Sequence, residues 1–139
     1  MITVYTDAAG KPHNIYGYCI LETNEEKFIR SKFNLGSLEA EFFAMIEVLH
    51  TNTVRNSKHT IIYSDSESII DFINRKIQAR KGTVARLLTI QILNIIDNMQ
   101  TKPFFKWVPR ESNLAGILIE DEVPKKINKG MLFRESLLR

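Results

Sequence analysis

"SLEAEFFAMIEVL" (Ser37–Leu49) has the period of an amphipathic helix, with one residue out of place. At about 100° per position, Leu38, Phe42, Met45 and Leu49 fall on one stripe, flanked by Ile46 and Val48. Glu41 lies inside that stripe, between Val48 and Met45, whereas Glu47 points away from it. This segment alone leaves two readings open. Acidic residues favour the first turn of a helix, where unpaired N–H groups and the macrodipole stabilise negative charge, and Ser37 suits an N-cap. Glu39 and Glu41 can then be ordinary first-turn residues. Alternatively, Glu41 carries its carboxylate towards something that the helix covers.

Outward from this helix, the periods change in an informative order. "ITVYT" is a β-branched and aromatic run ending at Asp7, and "YGYCILET" and "KFIRSKFNL" are two further strand candidates joined by the polar turn "NEE". After the helix, "TIIYSD" is a compact apolar strand ending at Asp65, and "SESIIDFINRK" is a short amphipathic helix with Ser66 as its cap. "TVARLLTIQILNIIDNM" is longer, with Val84, Leu87, Leu88, Ile95, Ile96 and Met99 at helical spacing. "FFKWVP" is a last strand, stopped by Pro109, and "NLAGILIE" a final short helix. The order βββαβααβα predicts a mixed α/β fold: a five-stranded mixed sheet with helices packed on it. Residues 1–120 form the domain; the charged tail 121–139, interrupted by Pro124 and Gly130, is read as part of the same unit without assigned structure.

Composition frames the class. The 139 residues suffice for a core, and 44% apolar with 25% charged residues describe a globular chain. The lone Cys19 excludes an internal disulfide and suits a reducing compartment; it reads as a buried strand residue. "MITVYTD" has no basic leader and no long apolar core, and no run reaches the ~18 residues of a membrane span, so the expected location is cytoplasmic. A net charge of +3 permits a nucleic-acid partner without requiring one.

Two strands end in aspartate, at "VYTD" and "IYSD". Turns favour Asp on their own account. The carboxyl ends of parallel strands, however, are where α/β sheets bind ligands. If those strands are neighbours, Asp7 and Asp65 face each other, and clustered carboxylates repel unless a cation compensates. A divalent metal with oxygen ligands resolves the conflict.

These segments resemble a known family. "YTDAAG", "LEAEFFAMIEVL" and "IYSDSESIIDFI" are similar to the first three motifs of type 1 ribonucleases H, and "WVPRESNLAG" to the fourth, in family order over roughly residues 2–120. The resemblance implies a ribonuclease H-like fold, with strands one to three antiparallel and the first parallel to the fourth. It implies that Asp7, Glu41 and Asp65 bind two Mg2+ ions, with Mn2+ able to substitute, and that the enzyme hydrolyses the RNA strand of an RNA–DNA hybrid by a two-metal mechanism. Glu41 would then lie towards the sheet because its carboxylate must reach the metals.

Three departures accompany the matches. The family usually has an aspartate in the first turn of the last helix; here Gly116 takes that place. Many members have a histidine in the preceding loop, and "VPRESN" has none. Thr-Asn-Asn often precedes the glutamate; here it is Gly36-Ser37-Leu38. Glu120, on the same helical face as Gly116 but about 6 Å further along the axis, is predicted to act as a catalytic residue through a metal-bound water rather than by direct coordination. Gly116 would leave the helix N-terminus open to a phosphate.

Between Asn74 and Arg86 stand Arg75, Lys76, Arg80, Lys81 and Arg86 without an acidic residue. This run is either a solvated face or a phosphate-tracking patch for the hybrid. Backbone groups of Ala8, Ala9 and Gly10, with Glu41 nearby, are the expected contacts to ribose 2′-hydroxyls. His13, His50 and His59 have no metal-ligand spacing and read as surface; Trp107 reads as core. No obligate protein partner is evident. Two other readings stay open: a non-catalytic module of the same fold that binds nucleic acid or protein, and a DNA-processing relative. Glu41 on the helix after strand three speaks against the latter.

Overall fold

The computed structural model describes residues 1–122, so most of the predicted tail lies outside the described residues. Strands β1 (Ile2–Ala9), β2 (Ile15–Ile20) and β3 (Glu25–Arg30) are followed by α1 (Ser37–Leu49) and a single turn α2 (Asn52–Arg55). Then come β4 (Thr60–Ser64), α3 (Glu67–Ile73), α4 (Val84–Asp97), β5 (Phe104–Trp107), a 3-10 turn (Arg110–Ser112) and α5 (Leu114–Glu122). The five strands form one sheet in the order β3-β2-β1-β4-β5. β1, β2 and β3 are antiparallel neighbours, while β4 runs parallel to both β1 and β5. This is the mixed sheet expected from the sequence, with α2 as an addition. One turn is too short to show a period; Thr51 creates it by accepting a hydrogen bond from the Val54 amide.

The core lies between the sheet and α1, α3 and α4. Val4, Tyr18, Ile20, Ile62 and Phe105 pack from the strands against Phe42, Met45, Val48 and Leu49 of α1 and Leu88, Ile92 and Ile96 of α4. The Phe42 and Phe72 rings stack at 6.3 Å and lock α1 to α3. Side chains of a strand alternate between faces. α5 covers β1 and β2, burying Ala115 and Ile119.

Several boundaries move for local reasons. The β2–β3 turn spans Leu21 to Asn24 rather than "NEE", because Asn24 takes the left-handed conformation (φ 58°) that closes it, and Glu25 and Glu26 enter β3. α1 begins one residue after its cap, which is Gly36, not Ser37; Glu39 reaches back to accept from the Gly36 amide. Leu38, Val84 and Leu87 stay exposed although they fit the apolar periods, since neither helix turns those positions to the sheet. Trp107 is corrected too: it is 49% exposed, on the edge strand, not in the core. Cys19 is buried in β2, as expected. Among the described residues, no helix is long and apolar enough to cross a membrane.

Candidate metal centre

The parallel ladder between β1 and β4 runs from Ile2↔Thr60 to Tyr5↔Tyr63. Beyond that pair, β1 continues to Ala9 against β2 alone, so Asp7 lies inside a strand rather than at its end. Asp7 and Asp65 each stand two residues past the last β1–β4 pair, side by side where the ladder has opened. α1 brings Glu41 to the same point. One carboxylate oxygen from each of Asp7, Glu41 and Asp65 lies within 4.8 Å of the others. Asp7 is buried, and Glu41 and Asp65 are half-buried.

Burial and mutual repulsion dominate the electrostatics of the three acids. Asp7 Oδ1 and Glu41 Oε2 are buried and have no hydrogen-bond donor among the described residues. Burial, then repulsion from Asp65, pushes Asp7 up to about 6, against a pull downward from the Ala8 amide, from Glu41 and from the Arg110 guanidinium. Glu41 is pushed well above the ordinary carboxylate range, first by burial and then by Asp7 and Asp65. Unpaired buried carboxylate oxygens are what oxygen-liganded Mg2+ or Mn2+ would satisfy, so the residues fit a divalent ion.

A cleft of about 440 Å³ opens beside the acids, lined by Asp7, Ala8, Ala9, Arg110, Glu111, Gly116 and Glu120 among others. Gly116 faces the cluster directly: a Cβ built there would sit 3.1 Å from Asp7 Oδ2. The position of the family's fourth acid is thus beside Asp7, without a carboxylate. Glu120 lines the same cleft but lies outside the group of acids that approach within 4.8 Å.

The α5 N-terminus is not the open phosphate site anticipated from Gly116. The Ala115 amide donates to Asn113 Oδ1 (3.1 Å), and the Gly116 and Ile117 amides donate to the Asn113 carbonyl (3.0 and 3.4 Å). Those donors are already taken.

The remaining candidates are spread more widely. Ala8 and Ala9 line the cleft, with the Ala8 amide turned to the Asp7 and Glu41 carboxylates. Gly10 is buried against the start of α1, where a Cβ would meet the Ser37 nitrogen at 2.8 Å and the Leu35 oxygen at 2.9 Å. Close approach of two backbones explains this glycine. In the basic run, Arg75 pairs with Asp97 (3.6 Å) and Arg86 Nη1 donates to Gln78 and to the Ala79 carbonyl. These two brace the loop between α3 and α4, while Lys76, Arg80 and Lys81 are exposed on it. His50 and His59 are exposed and His13 half-buried.

Two residues at the site escape sequence reasoning about chemistry. Asn113 is fully buried and donates from Nδ2 to the Thr6 carbonyl (2.9 Å) and to Asp65 Oδ2 (3.0 Å). Trp107 donates its indole N–H to the Asp65 carbonyl at 3.1 Å. Both contacts bridge distant parts of the chain; the sequence marks Asn113 by its N-cap signature before an apolar run and by its place in "WVPRESNLAG", but not by its partners.

The repulsion sets a pH dependence. A carboxylate that holds its proton more tightly folded than unfolded stabilises the fold at low pH, and that contribution is lost as pH rises through the folded value. For Asp7 the window runs from about 3.8 to about 6. In chelator, the melting temperature should therefore fall as pH rises from 4 to 7, with Glu41 extending the loss upward. Asp7→Asn should flatten the fall and melt higher than wild type at pH 7, by a contribution on the order of 3 kcal/mol. Thermal melts across that range check this; a flat wild-type profile contradicts it.

The model of the reverse transcriptase-like family matches residues 24–117. No curated protein matches the sequence. Among solved structures, LC11-RNase H1 in complex with an RNA/DNA hybrid, an enzyme isolated from compost by a metagenomic approach, superposes with a TM-score of 0.71 at 18% identity, over 82% of this chain and 89% of that one. RNase H1 from the halophilic archaeon Halobacterium salinarum gives 0.66 at 15% identity, over 88% and 98%. The N-terminal ribonuclease H domain of Rv2228c from Mycobacterium tuberculosis gives 0.66 at 14%, over 87% and 96%. Matched over more than half its length and built on the ribonuclease H fold, the chain belongs to the reverse transcriptase-like family.

Proposed function

We propose that the protein is a metal-dependent nuclease that hydrolyses the RNA strand of RNA–DNA hybrids. The observation that carries this reading is the cluster of Asp7, Glu41 and Asp65, with two orphaned buried oxygens, at the opened end of the β1–β4 ladder of a ribonuclease H fold. A relative of the same fold is known in complex with an RNA/DNA hybrid, which supports the substrate class.

Asp7, Glu41 and Asp65 would hold Mg2+, two ions in the reading adopted here, or Mn2+ in its place. When bound, the metal supplies activation of the attacking water and charge stabilisation at the departing oxygen of an in-line displacement. The chain's own residues place and orient it. Asp7 comes from β1, Asp65 from the turn directly after the neighbouring β4 and Glu41 from α1, so the three approach from separate elements. Arg110 and Glu120 line the cleft beside Asp7. Arg110 offers positive charge to a phosphate, and Glu120 reaches the centre through water. Ala8 and Ala9 form the wall along which ribose hydroxyls pass. Lys76, Arg80 and Lys81 track the phosphate backbone from the α3–α4 loop.

Gly116 in place of an acid favours one alternative, a module that binds nucleic acid without cutting it. One assay separates the two: purified protein incubated with end-labelled hybrid, duplex RNA and duplex DNA, with Mg2+ or Mn2+. The enzyme reading expects cleavage of the hybrid's RNA strand, and loss of detectable cleavage in Asp65→Asn with binding retained. Binding of the hybrid by wild type without cleavage in either metal would establish the module instead.

For the basic loop, replacing Arg80 and Lys81 with alanine should weaken hybrid binding and lower its salt slope by about one to two units, with little change in cleavage at saturating hybrid. Affinity measured over a salt series checks this; an unchanged slope returns the loop to an ordinary solvated surface.

A further inference from the structure

We propose that Asn113 is the positioning residue of the metal centre, setting which oxygen of Asp65 is available to a cation; this rests on the metal-dependent reading above. Asn113 is fully buried, at the junction of three segments that build the site. Its Nδ2 reaches the Thr6 carbonyl (2.9 Å), immediately before Asp7, and Asp65 Oδ2 (3.0 Å). Its Oδ1 accepts from the Ala115 amide (3.1 Å), at the start of the helix that presents Gly116 to Asp7. The amide has one workable orientation. Flipped, it would set an oxygen against two acceptors and an NH2 group against a donor.

The position has a reason in the fold. The β1–β4 ladder has its last pair at Tyr5↔Tyr63. Past that pair, the Thr6 carbonyl on β1 and the Asp65 carboxylate just after β4 share a single side-chain NH2 group. Asn113 therefore bridges the gap that the ladder leaves, at the point where the two aspartates must stand side by side. Asp65 is held twice: its carbonyl by the Trp107 indole (3.1 Å) and its carboxylate by Asn113.

An amide suits this task better than a cation. Lys or Arg against Asp65 would neutralise the charge that attracts a metal, whereas a neutral donor orients the carboxylate and leaves the charge in place. With Oδ2 taken by the amide, the second oxygen faces the choice of cation or water. Where the family's fourth acid is replaced by Gly116, Asn113 ties α5 to the site through hydrogen bonds rather than through metal.

The test separates capping from positioning. Asn113→Ser keeps an N-cap oxygen but cannot reach Asp65. Magnesium affinity is measured by calorimetry on the metal-free protein, alongside circular dichroism, hybrid KM and the magnesium needed for half-maximal rate. The proposal expects retained helicity, magnesium affinity weaker by about 10- to 100-fold, a matching rise in the magnesium requirement, and unchanged KM for the hybrid. Wild-type magnesium affinity in Asn113→Ser, with only a lower melting temperature, would overturn it and leave the nuclease reading intact. Failure of wild type to bind magnesium would overturn both.

Asn113→Asp provides a second route should Asn113→Ser unfold. Isosteric and still a cap, it sets an oxygen against Asp65. The expected signature is a lower melting temperature in chelator and a larger magnesium-induced rise than wild type shows. A chelator melting temperature equal to wild type would contradict the contact on which the proposal stands.

Discussion

Three carboxylates with ligand oxygens inside 4.8 Å, two of them carrying buried oxygens without donors, form the constraint around which this fold is arranged. Such an arrangement opposes folding, since each charge raises the free energy of the others and burial raises it further. Only extensive packing elsewhere holds it in place. The core between the sheet and α1, α3 and α4 contains Val4, Ile62, Phe42, Met45, Val48, Ile69 and Ile92, each fully buried, and supplies that support.

The elements that carry the acids also explain why the sheet changes character at this end. Asp7 stays in the antiparallel ladder, opposite Gly17, whereas Asp65 lies just past the end of β4. The β1–β4 ladder opens after Tyr5 and Tyr63, β1 holds on to β2 alone, and Asn113 and Trp107 take over the bonding. Gly116 lets α5 approach Asp7 so closely that a Cβ would already be in tight contact. Among the described residues, Arg110 is the cation that acts on Asp7, and it does so more weakly than burial and Asp65.

Legibility in the sequence followed the range of the interactions. Glu41 stood out because it broke a helical period, and Asp7 and Asp65 because each followed a β-branched run; these are local patterns. The order of elements, and with it the mixed sheet, was legible for the same reason. Asn113 was visible only as part of the segment that resembles the fourth motif; its bonds were not, since its partners lie 107 and 48 residues away and leave no periodic trace. Trp107 looked like core by residue type, yet it lies on an edge strand, a fact of sheet order that no local pattern contains. The open helix terminus expected at Gly116 failed because Asn113 satisfies the first amides of α5, which requires the cap to be seen in place. The basic run was visible as charge, but not that Arg75 meets Asp97 and Arg86 bonds to Gln78 and the Ala79 carbonyl.

Asp7, Glu41 and Asp65 are proposed to hold a divalent metal. Calorimetric titration of the metal-free protein with Mg2+ in buffers of different ionisation enthalpy, at pH 6 and at pH 8, tests it most directly, because the number of protons released is counted together with the binding. With Asp7 pushed up to about 6 and Glu41 raised above its ordinary range, the account predicts that Mg2+ binds with release of protons at pH 6, and with fewer at pH 8. The Asp7→Asn, Glu41→Gln double variant should release none. Absence of Mg2+ binding, or binding with no proton release at pH 6, would contradict the account.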